Sequence, residues 1–154
     1  MEELNIRKAT ESDLPTLRKF EQGVISAERP FDPTLKKDPI NYYDLNEFLA
    51  SPNIHLVVAE YDSQLVGCGY ARIEKAKHFI RHDQHAYLGF MYTVPEFRGK
   101  GVNQKIIEEL KRWAISMGIA EMQLEVYSEN APAIKAYEKA GFSRHLITMR
   151  MAIE

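Results

Sequence analysis

Cysteine is nearly missing from this chain of 154 residues, where Cys68 stands alone. That excludes an intrachain disulfide framework and a cysteine-rich zinc site. Long hydrophobic runs are missing too, since no apolar stretch approaches the roughly 18 residues of a membrane span. The opening stretch MEELNIRKATESDL is acidic and lacks an apolar core, so no secretory signal peptide is expected there. Nor is there a surplus of one charge: 20 Lys and Arg against 22 Asp and Glu leave a formal net charge of −2. A dedicated nucleic-acid binder is usually strongly basic, so this balance argues against that class and leaves room for a local basic pocket. Internal repeats and low-complexity segments are absent as well. A lone free thiol with no span and no leader suits the cytoplasm, with neither membrane nor nucleic acid as a partner.

What is present suffices for one domain, residues 1–154, with a real core. Leu4 to Lys8 alternates like a strand. Thr10 and Asp13 resemble a capping box, and Leu14, Leu17, Phe20 and Val24 follow at helical spacing. Glu28 to Asn41 carries three prolines and reads as a loop, of a length often tied to function. A short helix over Tyr42 to Leu49 is expected next. Two strands, His55–Tyr61 and Leu65–Glu74, flank a turn at Asp62-Ser63-Gln64. Lys75 to Gln84 is polar and reads as loop. Ala86 to Val94 is apolar enough for a strand buried on both faces, and Pro95 stops it. A long helix follows with Val102, Ile106, Leu110, Trp113 and Met117 along one stripe and Gly118 past its end. Glu121–Tyr127 is read as a strand, Ala131–Ala140 as a helix and Ser143–Ile153 as a last strand. Trp113 and the methionines at 117, 122, 149 and 151 are assigned to the core. The β-α-β run from Ala86 to Tyr127 implies a parallel pair with a right-handed crossover, and the hairpin before it implies antiparallel strands. The fold class is therefore α/β with a mixed sheet.

The most informative stretch runs from Val94 to Gln104, VPEFRGKGVNQ. A buried strand ends, a glycine-rich turn follows and a long helix starts. The first turn of a helix has unpaired N–H groups at the positive end of its dipole. Gly99 and Gly101 let the backbone approach a ligand, while Arg98 and Lys100 add positive charge. Together these suit a phosphate or pyrophosphate. The P-loop pattern G-x-x-x-x-G-K-[ST] is not there. The dinucleotide pattern G-x-G-x-x-G fails at Gln104 and comes too late in the chain. A basic loop that merely caps a helix is the plain alternative.

R-G-K-G-V-N after V-P-E-F resembles the acyl-CoA motif [QR]-x-x-G-x-[GA] of the GNAT superfamily of N-acetyltransferases. Asn130 to Phe142 (NAPAIKAYEKAGF) is similar to a second signature of that family, N-x-x-A-x-x-x-Y-x-x-x-G-F. The resemblance covers essentially the whole chain and is strongest from Ala86 to Phe142. It implies a mixed sheet whose central parallel strands splay apart, helices on both faces, and acetyl-CoA as co-substrate in the cleft. Backbone groups of Met91 and Thr93 would pair with the pantetheine arm. N–H groups of Arg98, Gly99, Lys100, Gly101, Val102 and Asn103 would hold the pyrophosphate, and Asn130 would bond the CoA arm. Asn103 departs from the motif, which has Gly or Ala at that position.

The resemblance also gives Tyr137 the role of general acid toward the leaving thiolate. The alternative is a ring packed on the apolar face of its helix. The base is not marked: the strand positions that carry Glu or His in several family members are Tyr87 and Gly89 here. Glu28 and Glu125 are the remaining carboxylates, and a water chain could serve instead. Acidic and aromatic residues of the 28–43 loop suit a cationic amine, with Glu28 as candidate contact. A small-molecule amine or a peptide N-terminus would be the acceptor, attacking directly in a ternary complex. Cys68 has no motif around it, which disfavours an acyl-cysteine route. His78, His82 and His85 are read as a solvated loop, and no metal is expected. Family members are often dimers, so the resemblance leaves a homodimer open. Two other readings stand beside the enzyme: an acyl-CoA-binding or regulatory module without catalysis, and a nucleotide- or phosphosugar-binding protein.

Overall fold

The structure, a computed structural model, describes residues 3–154. Five strands form one sheet in the order β1-β2-β3-β4-β5. They are β1 (Asn5–Lys8), β2 (Ile54–Tyr61), β3 (Gln64–Lys75), β4 (Gln84–Thr93) and β5 (Met122–Leu124). The first four are antiparallel, and β5 runs parallel to β4. The helices are α1 (Leu14–Glu28), α2 (Leu45–Ala50), α3 (Val102–Ser116) and α4 (Ala131–Lys139).

The period of two along β2 sorts the chain into two cores. Leu56 and Val58 face Leu17, Phe20, Val24 and Phe48 of α1 and α2. Val57 and Ala59 face Val102, Ile106 and Leu110 of α3, with Tyr137 and Phe142 packed at the margin. Helices thus cover both faces of a mixed sheet, as the resemblance implies.

Entry into α1 follows the sequence. The Asp13 carboxylate accepts from the Thr10 backbone N–H at 2.8 Å and pairs with both Arg7 guanidinium nitrogens at 2.8 and 2.9 Å. Glu21 interrupts the apolar stripe of α1 yet is only 2% exposed. Its Oε2 accepts from the backbone N–H groups of Tyr42 and Tyr43, both at 2.7 Å, and so ties down the far end of the 28–43 loop. Replacing Glu21 by Ala would leave two amides unpaired. The expected cost is about 2–4 kcal/mol, read as a lower denaturant midpoint, with faster amide exchange at residues 42 and 43.

Three expectations fail. Strand β5 is shorter than Glu121–Tyr127, because its pairing with β4 stops at Leu88↔Leu124 and the chain then turns away. The last strand, Ser143–Ile153, does not form: no residue from 143 to 154 lies in a helix or strand, and all are exposed. Alternation supplies strand propensity but not a partner edge, and a strand without one leaves its backbone groups unpaired. Met117, Met149 and Met151 are therefore on the surface rather than in the core. Trp113 is half-buried and stacks on His55 at 5.3 Å.

Candidate active site

Strand β4 runs five residues past its last pair with β5, and this opens a cleft. Opposite Gly69 the β3–β4 register shifts, and Phe90 there has φ of 54°. A buried aromatic in the left-handed region costs roughly 1–3 kcal/mol and is held only by its surroundings. Phe90 stacks on Tyr43 at 4.5 Å, so the aromatic core fixes the bulge. Past it, the Val94 N–H pairs with the Val66 carbonyl at 2.9 Å, which turns the backbone groups of Thr93 the other way, toward the cleft.

A cavity of about 190 Å³ lies in this cleft. Met91, Thr93 and Arg98 line one side, Asn130 and Tyr137 another, and Glu28 reaches in from the end of α1. Six residues singled out in the sequence thus meet in one place although they are up to 109 positions apart in the chain (137 − 28). Glu125, the other carboxylate considered as a base, is also on the wall and accepts from the Tyr87 hydroxyl at 3.0 Å.

The remaining predicted residues form the turn into α3, outside the cavity lining. Gly99 and Gly101 have φ of 75° and 84°, conformations that strain any residue with a Cβ. Nothing lies within 4 Å of where a Cβ would sit on either, so the turn is bordered by open space. Gly101 caps α3, and the free N–H groups of its first turn begin there. The Val102 side chain is buried in the core, which leaves only its backbone for a ligand. Asn103 is half-buried in the first turn. Lys100 is exposed, with Nζ 5.3 Å from the centre of the Phe97 ring.

Two predicted ligand contacts already have partners. Arg98 Nε donates to the Thr93 carbonyl at 3.1 Å, leaving its other guanidinium donors and the Thr93 N–H. Asn130 caps α4, its Oδ1 accepting from the Ala133 N–H at 3.3 Å, which leaves its amide NH2. Gly89 cannot carry a base, and the structure gives a reason: a Cβ there would lie 2.6 Å from the Tyr70 hydroxyl.

The electrostatics are those of a half-dry pocket. Burial pushes the Tyr137 phenol up to about 12, with the Glu28 charge adding to it. Burial also raises the Glu28 carboxyl above the ordinary glutamate range. The Tyr42 hydroxyl is buried beside Glu28, and burial, with the Glu28 carboxylate adding to it, pushes its pKa up. Asp32 behaves oppositely. The Thr34 hydroxyl and backbone N–H, together with Arg150, lower its pKa to about 2.

Tyr127 was not singled out in the sequence. Its hydroxyl donates to Asp32 at 3.2 Å and its ring stacks on Phe31 at 5.9 Å, so it pins the 28–43 loop to the end of the β5 segment. A tyrosine on an expected strand carries no signal for that role. Glu21 could have been found, since a carboxylate four residues after Leu17 lies on an apolar stripe.

A splayed parallel strand pair, a glycine turn into the N-terminus of the next helix and a half-buried phenol in the cleft define a mixed α/β fold with a cleft at its parallel strands. Residues 22–142 match the sequence profile of the Acetyltransferase (GNAT) family, and the chain belongs to that family. Among curated proteins it is 44% identical over 46 residues to a streptothricin acetyltransferase of Escherichia coli, covering 30% of this chain and 26% of that protein. It is 26% identical over 113 residues to an aminoglycoside N(6')-acetyltransferase type 1 of Salmonella typhimurium, covering 68% and 73%. The matches to the first three curated relatives span only about a quarter to a third of those proteins' lengths. Among solved structures, the aminoglycoside N-acetyltransferase AAC(6')-Iy in complex with CoA superposes with a TM-score of 0.73 at 20% identity, over 96% of this chain and 99% of that one. At that identity the likeness establishes the fold.

Proposed function

We propose that this protein transfers an acetyl group from acetyl-CoA to the amine of a small cationic molecule. One observation carries the reading: a single cavity gathers Glu28, Arg98, Asn130, Tyr137 and the exposed edge of β4 beside the glycine turn of α3. Relatives named for acetylating an aminoglycoside or a streptothricin support an amine acceptor. The acidic wall of Glu28 and Glu125 favours a cation over a neutral acceptor.

The residues fit acetyl-CoA. The open space around Gly99 and Gly101, the first N–H groups of α3 and the charges of Arg98 and Lys100 suit a pyrophosphate. The outward-facing backbone of Met91 and Thr93 suits the amides of the pantetheine arm, and the Asn130 NH2 adds a donor.

The acceptor arrives as an ammonium and must lose a proton before it can attack. Glu28, whose burial raises its proton affinity, takes that proton directly or through a water. The amine nitrogen then bonds to the thioester carbonyl carbon and the C–S bond breaks. The CoA sulfur leaves as a thiolate, toward which Tyr137 donates its O–H, and the second proton, which the nitrogen sheds on becoming an amide, returns through water to the tyrosinate. A phenol near 12 is about three units above an ordinary thiol, so full transfer is uphill by roughly 4–5 kcal/mol while Glu28 is charged. Once Glu28 holds the amine's proton, the charge that helped keep the Tyr137 proton in place is gone. The two proton movements are coupled in the productive direction.

Incubation with acetyl-CoA and a panel of amines tests the reading, by thiol release and by the mass of the acetylated product. Tight CoA binding without turnover of any amine would favour the non-catalytic module, for which Gly89 at the usual base position is the supporting feature. Glu28→Gln is expected to raise KM for the amine at least several-fold and lower kcat, with KM for acetyl-CoA nearly unchanged. Its melting temperature should hold or rise at neutral pH, because a carboxyl with a raised folded pKa is less favourable to folding when ionised. In the wild type, activity should fall on acidification with a midpoint above the ordinary glutamate range, and the Gln variant should lose that limb. A uniform loss across pH in the variant would count against Glu28 as base.

A further inference from the structure

Strand β3 places a tyrosine where β4 has no side chain. Tyr70 and Gly89 are direct partners across the antiparallel β3–β4 pair, one residue before the bulge at Phe90. A Cβ on Gly89 would lie 2.6 Å from the Tyr70 hydroxyl, so that oxygen fills the space a side chain from residue 89 would take. The Tyr70 ring packs against Phe48 at 4.7 Å, Tyr43 at 6.0 Å and Tyr87 at 6.4 Å, and the residue is only 3% exposed.

The hydroxyl is the exception to this packing. Among the described residues it makes no hydrogen bond, and, unlike the Tyr42 hydroxyl, it is not sealed off from solvent. A Phe would pack equally well there, so the oxygen serves something other than the core. It opens on the acceptor end of the cleft. Tyr87, two residues before Gly89 and on the same face of β4, donates to Glu125 on the cavity wall at 3.0 Å. Met91, just past the bulge, lines the same cavity. Burial raises the Tyr70 pKa against the opposing charge of Arg72, so the group is a neutral phenol at working pH.

We propose, resting on the acetyl-transfer reading, that the Tyr70 hydroxyl orients the acceptor amine. Its oxygen accepts a hydrogen bond from one N–H of the amine, which turns the nitrogen lone pair toward the thioester carbonyl once Glu28 has taken the proton. A nitrogen fixed in direction reacts faster than one free to turn. The neighbouring strand thus supplies the polar atom that residue 89 lacks. Tyr70 neither gains nor loses a proton in this role, which separates it from Glu28 and Tyr137.

Tyr70→Phe tests the proposal, because the ring stays and only the oxygen goes. With an amine that the wild type acetylates, kcat/KM for the amine is expected to fall about tenfold or more, the scale of one positioned hydrogen bond. KM for acetyl-CoA should stay as in the wild type, and the acid limb of the pH profile should keep its midpoint. The melting temperature should hold or rise, since the hydroxyl has no partner in the fold to lose. Gly89→Ala reaches the same oxygen from the other strand, because its Cβ must displace the Tyr70 hydroxyl. It should lower kcat/KM by a similar factor, and adding it to Tyr70→Phe should lower the value little further. Circular dichroism checks that each variant folds.

A Tyr70→Phe variant whose kcat/KM stays within about twofold of wild type overturns the proposal. So does a lower melting temperature with both KM values raised alike, which marks a packing role, or losses that multiply in the double variant. A wild type that releases no thiol with any amine overturns the acetyl-transfer reading and this inference with it. Turnover in the wild type with an unaffected Phe variant removes Tyr70 alone.

Discussion

Tyr137→Phe is expected to lower kcat by on the order of 10²-fold or more, since a positioned acid is typically worth 10²–10⁴. The ring sits at the margin of the α3-side core, against Phe142 at 6.0 Å, and Phe keeps that packing. Stability should therefore move by only about 1 kcal/mol, the scale of one hydrogen bond. KM for acetyl-CoA should change little. Because burial raises the phenol to about 12, kcat of the wild type should show no basic decline from this group up to about pH 10. Any decline there would belong to another group and should persist in the Phe variant. If Tyr137 is only a packed ring, kcat of the variant stays within a few-fold of wild type. Steady-state rates across pH, with circular dichroism for folding, decide the matter.

The largest effect on binding is expected at Gly101. Its φ of 84° makes any side chain there costly, so strain must be separated from charge. Gly101→Gln and Gly101→Glu carry the same strain and nearly the same volume, and only Glu brings a negative charge to the turn. If the turn holds the pyrophosphate, calorimetry should show CoA affinity at least 10²-fold weaker in the Glu variant, with a smaller loss in the Gln variant. Pantetheine lacks the pyrophosphate and should bind the two variants alike. Equal CoA affinity in the two folded variants would remove the pyrophosphate from this turn. The Glu penalty should shrink at high salt, since the turn is exposed and its charges are screened.

The local part of this molecule was legible in the chain. Asp13 after Thr10, Pro95 after a buried strand and Gly101 before Val102 act through the conformations of their own neighbours, so their positions alone predict where elements start and stop. The conformation of the stretch from Val94 to Gln104 was readable for the same reason, because the end of a strand, a glycine turn and the start of a helix each depend on neighbouring residues.

Where the pattern was local but its consequence was not, reading failed. Ser143 to Ile153 has the alternation of a strand, yet it pairs with no edge of the sheet, although β5 is the last strand in the order. Glu121 to Tyr127 reads as one strand, but only Met122–Leu124 pairs, because the bulge at Phe90 carries the end of β4 away. That bulge depends on Gly69 and Met91 meeting across β3 and β4 and on Tyr43 stacking from a distant loop. No pattern around residue 90 encodes it.

The sequence by itself determined most of the helices and strands, the two-faced sheet and the conformation of the glycine turn, because periodicity, capping and turn chemistry act over a few residues. Only the tertiary structure decided that Glu28, 109 positions before Tyr137, shares its cavity and helps raise its pKa. Only there does Tyr70 take the space beside Gly89 that a basic side chain would need. These depend on distances through space in a partly desolvated cleft, where burial and charge act on whichever groups the packing brings together.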